Sequence, residues 1–318
     1  MLKKILLVLC AFILIIPFAG YLYFQLAFPK VGPPEDLHVT ATPEKLERGK
    51  YLAHNVAVCL DCHSTRDWTR YSGPVMPDSW GKGGEIFDES MGLPGTIYAR
   101  NITPAGIGKW TDGELLRAFT TGVNRDGEAL FPLMPYTHFG KMTREDAESI
   151  LVYVRSLPPI QNEVPKRTLK FPMNLIVRTI PSPAEFAPKV DKNNTVEYGH
   201  YLVNMASCAE CHTQSKEGQA LPGMEFAGGV QFPKAHWIVR SANITPDKDT
   251  GIGLWEKADF IKHFRDANTN QVDEKAKNTV MPLSNYAGMT DEDLGSIFDY
   301  LRTLKPVRNK VEHFTSRD

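Results

Sequence analysis

The feature that most constrains this chain is a long internal duplication. The segment Arg48 to His63, RGKYLAHNVAVCLDCH, returns as YGHYLVNMASCAECH from Tyr198 to His212. Asn101-Ile-Thr-Pro returns at Asn243, Gly106-Ile-Gly-Lys-Trp110 at Gly251, and Met134-Pro-Tyr-Thr-His at Met281. Ile150-Leu-Val-Tyr-Val-Arg-Ser-Leu-Pro matches the segment opening at Ile297. The order is the same in both copies, and paired residues lie between 142 positions (Asn101, Asn243) and 150 positions (Arg48, Tyr198) apart. A repeat of that length is a whole folding unit rather than a solenoid element. The chain therefore reads as two similar domains, 38–160 and 192–310. A linker, 161–191, joins them and carries prolines at 165, 172, 181, 183 and 188.

Helix signals frame each copy. Thr42 is a suitable N-cap with Pro43 at the first helical position, and Thr195 takes the cap in the second copy. The closing helices begin at Thr143 and Thr290. Each has an acid three residues on, Asp146 or Asp293, in a variant of the capping box. They end near Pro158 and Pro306, since proline cannot continue a helix. The intervening chain is rich in Gly, Pro, Ser and Thr and shows no run of alternating strand residues. An all-helical fold is expected, and the apolar Leu175-Ile-Val177 predicts that the linker packs against a domain.

The chemistry lies in Cys59-Leu-Asp-Cys62-His63 and Cys208-Ala-Glu-Cys211-His212, which use four of the five cysteines. Cys-x-x-Cys-His is the attachment signature of c-type haem. Two thiols three positions apart form thioether bonds to the two vinyl groups of one haem, and the next histidine ligates the iron. A zinc site needs a second pair of ligands nearby, and none follows either motif. A thioredoxin-like pair needs a strand–helix–strand setting, which is missing. Two covalently attached haem c groups are expected.

A sixth ligand must come from elsewhere, and methionine serves in many electron-carrying domains. Met134 lies 71 residues after His63, and Met281 lies 69 after His212. Both precede a proline, which stiffens the loop, and both come just before the closing helix. Met142 and Met289 are also paired, but each stands immediately before an N-cap, the place of a hydrophobic staple; for Met289 the partner is Leu294. Met76, Met91, Met173, Met205 and Met224 have no counterpart. Met134 and Met281 are therefore the expected ligands. Trp110 and Trp255 have two open readings, an indole N–H donated to a haem propionate or apolar packing. The Asn-Ile-Thr triplets match a glycosylation sequon but read as loop structure near the haem edge. The other seven histidines, among them His54 and His138, do not recur in aligned pairs and receive no role. A net charge of −1 gives no reason to expect a nucleic-acid partner.

Residues 1–30 read as a membrane anchor. Lys3 and Lys4 precede an apolar stretch from Ile5 to Phe28, long enough to cross a bilayer, which takes about 20 residues. The lysines favour a cytoplasmic N-terminus, leaving the body outside the inner membrane, on the periplasmic side. Tyr21 and Tyr23 are placed for the outer interface. The rival is a cleaved signal, which would have a shorter apolar region and a small-x-small site before Pro29. Cys10 reads as a lipid-facing or packed cysteine, because Leu9 is too large for a lipoprotein processing site.

The Asn-Ile-Thr-Pro, Gly-Ile-Gly-x-Trp, Met134-Pro-Tyr and Tyr153-Val-Arg-Ser-Leu-Pro158 elements, set around Cys-x-x-Cys-His, resemble the cytochrome c subunits of membrane-bound bacterial alcohol and gluconate dehydrogenases. The resemblance covers nearly all of residues 45–306. It implies an all-α class, two tandem class I cytochrome c domains behind a transmembrane helix, with His63/Met134 and His212/Met281 ligation. It also implies a subunit that takes electrons from a catalytic dehydrogenase partner and passes them to quinone or a terminal acceptor. Two departures stand out. Those subunits typically carry three haems, where this chain has two motifs. The stretch between Trp255 and Met281 also diverges and lacks the glycine turn of Asp126-Gly127.

Enzymatic alternatives need features that are not here. A dihaem peroxidase requires one iron with an open position, whereas both copies keep a methionine. A thiosulfate-oxidising dihaem enzyme uses a cysteine ligand, and the only spare cysteine is Cys10. The expected protein is an electron carrier with no catalytic residue.

Overall fold

The computed structural model describes residues 2–267, 269–273 and 275–317, apart from the side chains of residues 2, 5–14 and 17. Each half is framed by an opening and a closing helix packed together. Pro43–Tyr51 lies on Arg144–Arg155, and Thr195–Met205 lies on Asp291–Thr303. Glycine sets both crossings. A Cβ on Gly49 would sit 1.9 Å from the Ser149 carbonyl oxygen, and one on Gly199 would sit 1.9 Å from that of Ser296. Any side chain there would drive the helices apart.

The caps follow the sequence closely. Thr42 accepts from the Lys45 N–H, Thr143 from that of Asp146 and Thr290 from that of Asp293. In the second copy Asn194, not Thr195, is the cap and accepts from Glu197 N–H. The Asn side chain is the stronger cap, so the helix starts one residue earlier than expected. The first opening helix runs on through a π-helical turn, Leu52–Val56, which the second lacks. Eight positions separate Tyr51 from Cys59, but seven separate Tyr201 from Cys208. The π turn absorbs that extra residue and lets both motifs begin in the same way.

The all-α class expected from the sequence is not what forms: among the described residues there are three small antiparallel sheets. In the first half Ile86–Phe87 pairs with Gly95–Tyr98, which pairs with Thr168–Leu169. In the second Gln231–Pro233 pairs with Trp237–Arg240, which pairs with Phe314–Ser316. A hairpin joins Ser215–Lys216 to Gln219–Ala220. Strands of two to four residues are too short for an alternating pattern to register in sequence. In each three-stranded sheet the last strand comes from the chain beyond the closing helix, so the linker and the C-terminal tail play equivalent parts.

The main core belongs to both halves. Leu52, Val56, Phe139, Met142 and Ile150 join Leu202, Met205, Met289, Leu294 and Leu301 in one buried cluster. Met142 and Met289 are buried there, as their staple positions predict. Val177 is buried as well, so the linker does pack.

The transmembrane anchor expected over 1–30, and with it placement at the inner membrane, is not supported. Residues Leu2–Ala27 form a helix, but among the described residues no helix is long and apolar enough to cross a membrane. The side chain of Cys10, which the sequence reads as lipid-facing or packed, lies outside what the structure describes.

Candidate haem-attachment sites

Each motif occupies a short helix entered through a left-handed residue. Val58 (φ 44°) precedes Cys59–Cys62, and Ser207 (φ 54°) precedes Cys208–His212. The i, i+3 spacing puts both thiols of a motif on one helical face. All four cysteines are free, so neither pair forms a disulfide.

The two histidines are held alike. His63 Nδ1–H donates to the Arg100 carbonyl at 2.7 Å, and His212 Nδ1–H donates to the Ala242 carbonyl at 2.7 Å. A carbonyl only accepts, so the proton is on Nδ1 and the Nε2 lone pair is free for a metal. Burial holds both rings below the ordinary histidine range, which keeps them neutral, although the same backbone bonds push the other way.

Glycine makes the carbonyl reachable. Gly83 N–H donates to the His63 carbonyl at 2.8 Å, and Gly228 N–H to that of His212 at 2.7 Å. Both glycines have positive φ. A Cβ on Gly83 would lie 2.5 Å from Arg100 C, and one on Gly228 would lie 2.3 Å from Ala242 C. The Asn-Ile-Thr-Pro segments follow directly. Asn101 accepts from Thr103 N–H and Oγ1–H and donates to the Ile160 carbonyl at 2.8 Å. Asn243 accepts likewise from Thr245 and donates to the Val307 carbonyl at 2.8 Å. These triplets are loop structure, locking the histidine-accepting strand to the chain beyond the closing helix.

Met134 and Met281 are half-buried, and both border the shared core along with Cys59 and Cys208. Among the described residues no three His, Cys, Asp or Glu side chains converge on one point. A metal held by either histidine would draw its remaining ligands from other chemistry, which a porphyrin and a thioether supply. Paired thiols and a neutral histidine with free Nε2 are the donor set that a c-type haem takes. Trp110 packs with Ile107, Leu116 and Leu151, and Trp255 packs on the shared core.

The variable residues inside the motifs have different partners. Asp61 is buried and ion-paired with Arg66 at 2.9 Å. Arg66 and Lys234 both lie over the Trp68 ring, 4.1 and 3.7 Å from its centroid, and Lys234 comes from the other half. Glu210 accepts from His138 Nε2 at 2.9 Å, and His138 Nδ1 meets Asn204 Oδ1 at 2.9 Å. Tyr286 donates its hydroxyl proton to the Ala206 carbonyl at 3.2 Å, two residues before Cys208. The sequence reading gave His138 no role, because its counterpart is Asn285 and no paired histidine signals the contact.

Residues 196–305 match the family model for cytochrome c. The chain is 28% identical over 292 residues to the alcohol dehydrogenase (quinone) cytochrome c subunit of Gluconacetobacter polyoxogenes, covering 85% of this chain and 58% of that protein. It is 29% identical over 288 residues to the fructose dehydrogenase cytochrome subunit of Gluconobacter japonicus, covering 86% and 56%. It is 26% identical over 296 residues to the gluconate 2-dehydrogenase cytochrome c subunit of Pantoea cypripedii, covering 86% and 62%. The chain thus spans little more than half the length of these relatives. Over most of its own length it is a homologue of the cytochrome c subunits of alcohol, fructose and gluconate dehydrogenases.

Proposed function

We propose that this chain is a dihaem electron carrier that takes single electrons from a dehydrogenase partner and delivers them to a respiratory acceptor. Cys59, Cys62, His63 and Met134 would hold one haem c. Cys208, Cys211, His212 and Met281 would hold the other, within units spanning 38–160 and 192–310 on either side of the linker 161–191. Haem iron supplies a one-electron couple, and no acid, base or nucleophile is required of the protein. The chain's own residues do the rest. The thiols fix position, the Arg100 and Ala242 carbonyls orient the two imidazoles, and the shared core packs against Cys59 and Cys208.

The observation that carries this reading is the repeated histidine geometry: two motifs, each with Nδ1–H donated to a backbone carbonyl at 2.7 Å. The partner follows from the relatives, which are named as subunits of dehydrogenases. The test is the oxidised full chain. Two haems per chain and the weak red band of methionine-ligated ferric haem are expected, with Met134→Ala and Met281→Ala each removing about half of that band. One high-spin haem with peroxide turnover would overturn the reading in favour of an enzyme.

A further inference from the structure

The two stretches that break the duplication are bound to each other. Twenty positions separate His63 from Gly83, but sixteen separate His212 from Gly228, so the first copy has the longer loop after its motif. The divergent stretch of the second copy lies between Trp255 and Met281. These segments pair as neighbouring strands would. Tyr71 N–H donates to the Asn270 carbonyl at 2.9 Å, Val272 N–H to that of Thr69 at 2.8 Å, and Arg70 Nε to that of Thr269 at 2.6 Å.

Ser72 stands at the end of this seam. It is 1% exposed and takes φ 65°, a left-handed conformation that serine rarely adopts. Its backbone is held from both sides. Its carbonyl accepts from Arg66 Nη2 at 2.7 Å, and its N–H donates to Asn278 Oδ1 at 2.8 Å. That places the hydroxyl against Met281. Ser72 Oγ–H donates to the Met281 carbonyl at 2.6 Å, and Oγ accepts at 3.0 Å the Leu283 N–H, which also donates to that carbonyl at 2.8 Å as Tyr136 N–H does to Met134. One hydroxyl thus brackets Pro282, which has no N–H of its own. In the first copy the Met134 carbonyl receives only the Tyr136 N–H among the described hydrogen bonds.

We propose that Ser72 is a positioning residue for Met281, so that the first half clamps the sixth-ligand loop of the second, while Met134 has no such clamp. This rests on Met281 being an iron ligand. A loop pinned on both sides of its proline keeps the thioether at the metal when a competing ligand is offered. The Met281 site therefore resists exchange more than the Met134 site. The left-handed backbone of Ser72 is held in place by Arg66 and Asn278.

The experiment is imidazole competition on the oxidised full chain with both haems, read on the methionine–iron band. Met281→Ala first defines which half of the band belongs to that site; if it removes none, the ligand assignment itself fails. Ser72→Ala and Ser72→Gly should both make the Met281 half displaceable at about tenfold lower imidazole, and leave the Met134 half unchanged. Glycine accepts positive φ without strain. A merely structural serine would therefore leave Ser72→Gly at wild-type behaviour, and that result overturns the proposal. Equal weakening of both halves of the band overturns it too.

Discussion

Tyr51 donates its hydroxyl proton to Asp293 across the boundary between the halves, at 2.6 Å, and the same oxygen accepts the Thr290 N–H at 3.1 Å. The duplicated residue returns the contact. Tyr201 donates to Asp146 at 2.6 Å and accepts the Thr143 N–H at 3.1 Å. Each opening helix therefore caps the closing helix of the other half, and the two copies are joined as a pseudo-symmetric pair. The exchange is isologous, as in a two-fold dimer.

The two tyrosines are equivalent in position but not in consequence. Asp146 also takes Arg48 in a bidentate pair, at 2.8 and 2.9 Å. Asp293 has no arginine there, because Arg48 is replaced by Tyr198 in the second copy. Tyr51→Phe strips a buried carboxylate and a helix-start N–H of the same hydroxyl, and should cost about 1.5–3 kcal/mol. Tyr201→Phe leaves Asp146 with its guanidinium and should cost about 1 kcal/mol. Urea unfolding of both variants checks the order, and a larger loss for Tyr201→Phe would refute it.

A second link between the halves carries a proton. His138 belongs to the short helix Tyr136–Phe139 after Met134, and Glu210 belongs to the other half's attachment helix. Burial opposes charge on His138, and Lys141 opposes it weakly. Its hydrogen bonds to Glu210 and Asn204 outweigh both and hold its pKa above the ordinary value. A raised folded-state pKa contributes stability that is complete below the unfolded value, about 6.5. That contribution is lost as pH rises through the raised value. The urea midpoint should therefore fall as pH rises through that raised value, and Glu210→Gln should flatten that part of the profile. An unchanged slope in Glu210→Gln would remove His138 as its source.

Much of this architecture is readable before any fold is known, where local chemistry dictates it. Thr42, Thr143 and Thr290 cap as their side chains require, and Met142 and Met289 pack as staples because an apolar residue before a cap faces the helix it starts. The spacing of the cysteines puts each pair of thiols on one short helix, as the structure has them. What escapes the sequence depends on distant partners. The short strands carry no period, and the third member of each three-stranded sheet comes from a segment far along the chain. Tyr51 and Tyr201 look like ordinary repeat residues until the halves meet. The N-terminal stretch misled in the opposite sense, since an apolar composition there suggested a span that the described helix does not support.

Gly83 and Gly228 had no sequence signal either, yet they hold the histidine-accepting carbonyls close. Alanine at Gly228 meets Ala242 C and O at 2.3 Å, both backbone atoms that cannot rotate away. The φ of 69° adds strain of its own. Relief requires moving the carbonyl that fixes His212, so Gly228→Ala should cost at least about 2 kcal/mol and perturb one haem spectrum only. Gly83→Ala should do the same to the other. Gly127 supplies the control. Its φ is 79°, but a Cβ there meets nothing within 4 Å. Gly127→Ala should therefore cost only the left-handed penalty, about 1 kcal/mol, with both spectra intact. Equal losses at Gly127 and Gly228 would mean that backbone conformation, not the approach to Ala242, sets the need for glycine.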